Sequence, residues 1–227
     1  MNYQTFMIYN EYYPNTKSNM LDSISTYNQS WNIQPYDGCS PDTLSEYEEK
    51  YNLPKTDRYK KFVNQQKYTS KKCCFYSHYS LWTHCADHLD YIVIVENDVE
   101  AVSSFPNSIS DFIKNHKDSL GMQITTESMT LFTKRNKKHH AGYVDHEPGI
   151  HSIYHKNSTG KHYLMGATGY ILNNKACKYL IKDCQLNGWA QNDLLFNADD
   201  DFNLYFIKPS IAYYNKEKEN NTSSRKL

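Results

Sequence analysis

The chain lacks net charge: across 227 residues, 25 Lys and Arg balance 25 Asp and Glu. A protein that grips nucleic acid by its phosphates needs a positive field, so this balance does not favour nucleic acid as a partner. Long apolar runs are missing too. The longest, Tyr91-Ile92-Val93-Ile94-Val95, is one strand's worth and far short of the roughly 20 residues of a membrane-spanning helix. Met1-Asn2-Tyr3-Gln4 lacks the charged start and apolar core of a secretory leader. No G-x-G-x-x-G or Walker sequence occurs, which removes support for a dinucleotide or P-loop fold. Without an export signal, Cys39, Cys73, Cys74, Cys85, Cys177 and Cys184 read as reduced thiols of a cytoplasmic protein. Cys73, Cys74 and Cys85 fall on one predicted helix, where they read as small buried residues.

What the chain has in plenty is tyrosine, 21 of them, which suits a core and clefts lined by rings that also hydrogen-bond. A codon bias toward Asn, Lys and Tyr accounts for the same count. The length allows one sizeable core that buries roughly 70% of the unfolded surface. Residues 1–214 therefore read as one domain. Residues 215–227, rich in Lys, Glu, Asn and Ser without periodicity, read as a disordered polar tail.

The chain is organised around residues 73–102. His78, Leu81, Trp82, Cys85 and Leu89 follow Cys74 in the rhythm of one helix face. The β-branched run Tyr91 to Val95 predicts a strand covered on both sides. Glu96-Asn97-Asp98 comes directly after it. Ionised carboxylates are costly at the edge of a core unless a positive charge meets them. On extended backbone Glu96 and Asp98 would face the same side, beyond a strand's carboxyl end, where open α/β sheets bind ligands. Two hard oxygen donors there suit Mg²⁺ or Mn²⁺ sharing its shell with phosphates. His84 and His88 are i, i+4, yet no second pair of zinc-ligand spacing lies near in sequence.

Around this stretch the pattern is α/β. Strand Thr5–Asn10, helix Asn19–Tyr27, strand Trp31–Gly38 closing at Asp37-Gly38, and helix Thr43–Tyr51 come first. Asn52–Tyr68 reads as a surface loop or short helix, and Lys71-Lys72 as a solvated pair preceding the core helix. Helix Ser108–His116 and strand Gly121–Thr126 follow. Lys134–His140 reads as a loop over the sheet, a lid or a solvated segment. Ile150–His155 and Lys161–Met165 flank the hairpin signal Asn157–Gly160. Gly166–Leu172 reads as a strand whose two glycines admit something close to the backbone. Asn173 is placed to cap a helix running to Asp183, and Asn203–Pro209 is a further strand.

The order basic-basic, small, aromatic, Ser77-His78, Trp82, then Glu96-Asn97-Asp98-Val99 resembles the central block of glycosyltransferase family 25, the lipooligosaccharide and collagen galactosyltransferase group. The likeness is densest at residues 73–99, thinner at 163–209, and departs from the family's Glu-Asp-Asp at Asn97. It implies a GT-A type domain with a mixed central sheet flanked by helices. It implies a metal-dependent, inverting hexosyltransferase that uses a nucleotide sugar, a UDP-sugar foremost, and a glycan or lipooligosaccharide hydroxyl. Mn²⁺ or Mg²⁺ would sit on Asp98 and Glu96. Ile8, Tyr9 and Asn10 would border the nucleotide base. Asn97, Gly166, Ala167 and Thr168 would lie along the donor, and Ser77 and His78 would touch it or brace the Glu96 strand. Trp189 and Asn192 would meet the acceptor, with Asp193 as base ahead of Asp199, Asp200 and Asp201. Two alternatives stand beside this: a viral-type transferase acting on a hydroxylated DNA base, and a non-catalytic relative that binds nucleotide or glycan.

Overall fold

The computed structural model describes residues 2–55, 67–101, 105–124, 147–152, 167–190, 192–196 and 204–214. The hairpin signal Asn157–Gly160, the basic run Lys134–His140, Gly166, Asp199–Asp201 and the tail lie outside these residues. Strand β1 (Tyr3–Tyr9), helix α1 (Thr16–Trp31), β2 (Ile33–Asp37), α2 (Leu44–Tyr51), α3 (Lys67–His88) and β3 (Tyr91–Glu96) form the first half. Then come β4 (Val99–Ala101), α4 (Phe105–Asn115), β5 (Gly121–Gln123), β6 (Gly149–Ser152) and β7 (Gly169–Asn173). Helices α5 (Asn174–Asn187) and α6 (Asn192–Leu195) and strands β8 (Leu204–Lys208) and β9 (Ala212–Tyr214) complete the elements among the described residues.

Among the described residues seven strands make one mixed sheet in the order β2-β1-β3-β7-β5-β8-β6, and β4 pairs with β9 in a second sheet. β2, β1 and β3 are mutually parallel, and β7 runs against β3. Helices cover both faces. β3 explains why: Ile92 and Ile94 join α3 and α5 in one core cluster, while Val93 and Val95 join residues of α1 and α4 in another. A run of β-branched residues without alternation buries both faces of its strand, and each such side chain contributes roughly 1.5–3 kcal/mol. Pro35 sits in β2, the edge strand, where a missing N–H is tolerated.

The order β2-β1-β3 fixes where a ligand can enter. Both crossovers start or end at neighbours of β1, but on opposite sides of it, and right-handed connections must then use opposite faces. Met20 of α1 accordingly packs in one cluster and the α3 residues in the other. The strand order therefore reverses at β1, and the carboxyl ends of β1 and β3 border this topological switch point, the place where open α/β sheets hold ligands.

The helix over this point differs from the sequence reading in two ways. α3 takes in Lys67–His88, so Lys71 and Lys72 lie inside it instead of preceding it. Lys72 is no solvated lysine: its Nζ lies 2.6 Å from Glu48 Oε1 on α2 and 5.7 Å over the Trp189 ring. Cys74 is exposed, whereas Cys73 and Cys85 are buried as expected. Cys74 lies instead beside Glu96 and Asn192, its Sγ 3.6 Å from Glu96 Oε1 and from Asn192 Nδ2. At the other end, Asn173 caps α5 by accepting from the Ala176 N–H at 2.7 Å. Asn174 donates to the carbonyls of Cys85 and Leu89 and so ties α5 to the end of α3.

Candidate active site

Three chain ends meet at the switch point. After β1, Asn10 Nδ2 donates to the Cys39 carbonyl at 2.6 Å and Asn10 Oδ1 accepts from Tyr12 N–H at 3.0 Å. The Gly38 N–H donates to the Tyr9 carbonyl at 2.8 Å. From α3, the buried Ser77 Oγ accepts from the Cys39 N–H and donates to the Cys73 carbonyl, each at 2.8 Å. Ile8 is buried and stands in register between Tyr36 on β2 and Glu96 on β3. Tyr9 is half-buried, and burial, then the Asp37 and Glu11 carboxylates, push its hydroxyl above the ordinary phenol range.

Glu96 is the last residue of β3, on the α3 face because it continues the alternation of Ile92 and Ile94. Its N–H donates to the Thr168 carbonyl at 2.9 Å. Its Oε1 lies 3.2 Å from His78 Nε2 and 3.6 Å from Cys74 Sγ. These are its side-chain contacts among the described residues, and both fall on Oε1. His78 is fully buried, with Nδ1 2.6 Å from the Tyr170 hydroxyl, which accepts from Trp82 Nε1–H at 2.9 Å. Burial holds the Tyr170 hydroxyl well above its usual pKa, so it stays protonated.

The expectation that Glu96 and Asp98 share one extended face meets different local backbone. β3 stops at Glu96, and Asn97-Asp98 form a turn into β4, so period-2 alternation does not apply at Asp98. Asn97 Nδ2 is buried with no hydrogen-bond partner among the described residues. Asn192, at the start of α6 and 5% exposed, lies with Nδ2 3.6 Å from Cys74 Sγ, and its Oδ1 has no partner among the described residues. Trp189 is half-buried, its ring 6.1 Å from Phe75. Ala167 is half-buried against the α3 cluster. The side chain of Asp193 lies outside the described residues.

Of the sequence-read residues, Glu96, His78 and Asn192 thus come together around Cys74, with Asn97 next to Glu96 in the chain. Ile8, Tyr9 and Asn10 line the neighbouring strand end. Ser77 turns to the Gly38-Cys39 corner and not to Glu96. Sequence reasoning missed Cys74, Tyr170 and Trp82 as parts of the site. The i, i+4 spacing of Cys74 and His78 was visible, but nothing in sequence links it to Glu96 or to Tyr170, 92 residues beyond His78. Among the described residues Cys74, His78 and Glu96 are a group able to hold a metal ion, their ligand atoms within 4.8 Å of one another.

In sequence, the family described as glycosyltransferase family 25 (LPS biosynthesis protein) matches residues 15–196. Among curated proteins no match is found. Mouse xyloside xylosyltransferase 1 in its apo form is a structural neighbour with a TM-score of 0.49 and 8% identity, covering 91% of this chain and 85% of its own. The galactosyltransferase LgtC in complex with donor and acceptor sugar analogues gives 0.45 and 10%, covering 94% and 87%. The S. aureus TarS 1–349 structure with UDP-GlcNAc gives 0.45 and 12%; the match covers 95% of this chain and 59% of that one.

Proposed function

The chain belongs to glycosyltransferase family 25 and is a glycosyltransferase, and on that premise we propose that it moves a hexose from a nucleotide sugar, foremost a UDP-sugar, to a hydroxyl of a glycan or lipooligosaccharide acceptor, with inversion. The observation that carries the reading is Glu96 at the carboxyl end of β3, one strand from Ile8-Tyr9-Asn10, at the switch point of the sheet. The domain responsible spans residues 1–214.

A divalent cation, Mn²⁺ or Mg²⁺, fits the chemistry of the residues present: Glu96 is a half-buried carboxylate that engages its partners through Oε1 and has Oε2 to offer, and Asp98 follows two residues on in a turn. Glu96 and Asp98 would hold the ion. Bound there, it supplies charge to offset the departing diphosphate. The remaining work falls to the chain. Ile8, Tyr9 and Asn10 border the base, and Asn97, Thr168 and Ala167, with Gly166, lie along the donor. Trp189 gives an acceptor sugar a ring face, and Asn192 offers it an amide. Asp193, as general base, takes the proton of the acceptor hydroxyl opposite the leaving group.

The test is release of nucleoside diphosphate from a panel of nucleotide sugars, with and without Mn²⁺, for the natural chain and for Asp98→Ala. Metal-dependent release that drops at least about 100-fold in Asp98→Ala supports the reading. Release that is indifferent to both metal and Asp98 refutes the metal-assisted mechanism, and no release from any donor refutes the transferase.

A further inference from the structure

The polar chain Trp82–Tyr170–His78–Glu96 has a direction that its chemistry fixes. An indole Nε1–H can only donate, so Tyr170 Oη accepts from Trp82 at 2.9 Å. The Tyr170 hydroxyl has one proton left to give, and the acceptor before it is His78 Nδ1 at 2.6 Å. Nδ1 is then the bare nitrogen of a neutral ring, and the proton sits on Nε2, 3.2 Å from Glu96 Oε1. The reverse order, with Nδ1–H donating to Tyr170, would give the phenol oxygen two donors and leave its own proton without an acceptor among the described residues. A buried donor left unpaired is costly. Each donor has an acceptor in one order only.

We propose that Trp82, Tyr170 and His78 are positioning residues that fix the Glu96 carboxylate through an Nε2–H hydrogen bond, and that His78 is a donor to Glu96 and not a metal ligand. The proposal deepens the transferase reading by saying which atoms aim the carboxylate. Oε1 is held by His78 at 3.2 Å and by Cys74 Sγ at 3.6 Å. Oε2 makes no hydrogen bond among the described residues, and a ribose hydroxyl or a hard cation can meet it. Metal on His78 Nε2 would expel the proton that Glu96 accepts and would force the whole chain into its unpaired order. The stacking of His78 on Tyr170, 5.6 Å between centroids and 21° between planes, keeps the imidazole in this orientation.

Two measurements decide it. The first does not depend on activity: ¹⁵N spectra of histidine-labelled full chain, with the His78 signals identified by their loss in His78→Gln. The expected ring is neutral, protonated on Nε2, and unchanged when Zn²⁺ alone is added. A proton on Nδ1, or Zn²⁺ displacing the Nε2 proton, overturns the proposal. The second compares His78→Gln with His78→Leu in donor turnover. Gln keeps an N–H close to the Nε2 position and binds metals poorly, so it should stay within about tenfold of the natural chain, while Leu falls a further 10- to 100-fold, the usual range for orienting partners of this kind. Equal losses in the two variants overturn it. Tyr170→Phe, which removes only the hydroxyl, should leave the proton on Nε2, where Glu96 still accepts it, and should lower both turnover and the melting temperature, because the buried Trp82 Nε1–H loses its acceptor; undiminished turnover overturns the positioning role of Tyr170. If the natural chain turns over no donor at all, the transferase reading fails while the spectra still decide the order of protons.

Discussion

Gly38 and Ser77 stand so close that a methyl group on Gly38 would lie 2.5 Å from the Ser77 hydroxyl and 3.1 Å from Ile8 Cγ2. The contact presses the end of β2 onto α3 at the switch point, and the same hydroxyl accepts from the Cys39 N–H. Gly38→Ala should therefore destabilise by about 1–3 kcal/mol through overpacking. The double variant with Ser77→Ala should cost less than the sum of the two singles, because one collision is shared. Urea unfolding of the four chains checks this; strict additivity would show that the crowding is relieved elsewhere.

Glu96→Gln keeps an oxygen for the His78 Nε2–H but removes the negative charge. If the carboxylate serves a cation and a donor, turnover should fall about 100-fold or more while the urea midpoint scarcely moves. A variant with full turnover would assign Glu96 to packing alone. Steady-state release of nucleoside diphosphate, run beside the unfolding curve, separates the two.

Stability of the sheet's other face is independent of this chemistry. Phe112 is fully buried among Ile109, Ile113 and the β-strand residues of the α1 and α4 cluster. Phe112→Ala should cost about 3–5 kcal/mol, whereas Leu186→Ala, at a residue 66% exposed on α5, should stay within about 0.5 kcal/mol. Denaturant midpoints at fixed slope give both values.

His84 packs edge-on against Phe6 at 5.6 Å, with Nε2 3.0 Å from Gln4 Oε1. Burial first, and the neighbouring His88 second, hold its pKa below the ordinary 6.5, against the pull of Asp87. The unfolded chain therefore binds this proton more readily than the folded one. Its stabilising effect is complete above about pH 6.5 and is lost as pH falls through the lower folded value. Melting temperatures of the natural chain should decline between neutral and mildly acid pH more steeply than those of His84→Gln. Parallel curves would mean that His84 titrates alike in both states.

How much of this was legible varies by element, for physical reasons. β3 was readable because five consecutive apolar residues, four of them β-branched, can satisfy only a strand covered on both sides. The α5 cap was readable because Asn173 answers an orphan N–H three residues away. The stretch of α3 ahead of Cys73 was not, because Lys67 to Lys72 give no apolar periodicity, and the helix is buried nearly all round its middle, from Phe75 to Tyr79. That burial also blurred the single-face pattern which put Cys74 inside.

The site divides along the same line. The sequence by itself determined that two carboxylates follow a core strand, that a Ser-His pair precedes it on a helix, and that the family is one of sugar transferases. Those are properties of short stretches, and local spacing records them. Only the tertiary structure decided which partner each side chain meets: His78 to Glu96, Ser77 to the Gly38 corner, Tyr170 between Trp82 and His78. Such contacts span 18 to 92 residues of chain and depend on strand order and register, which no local pattern encodes.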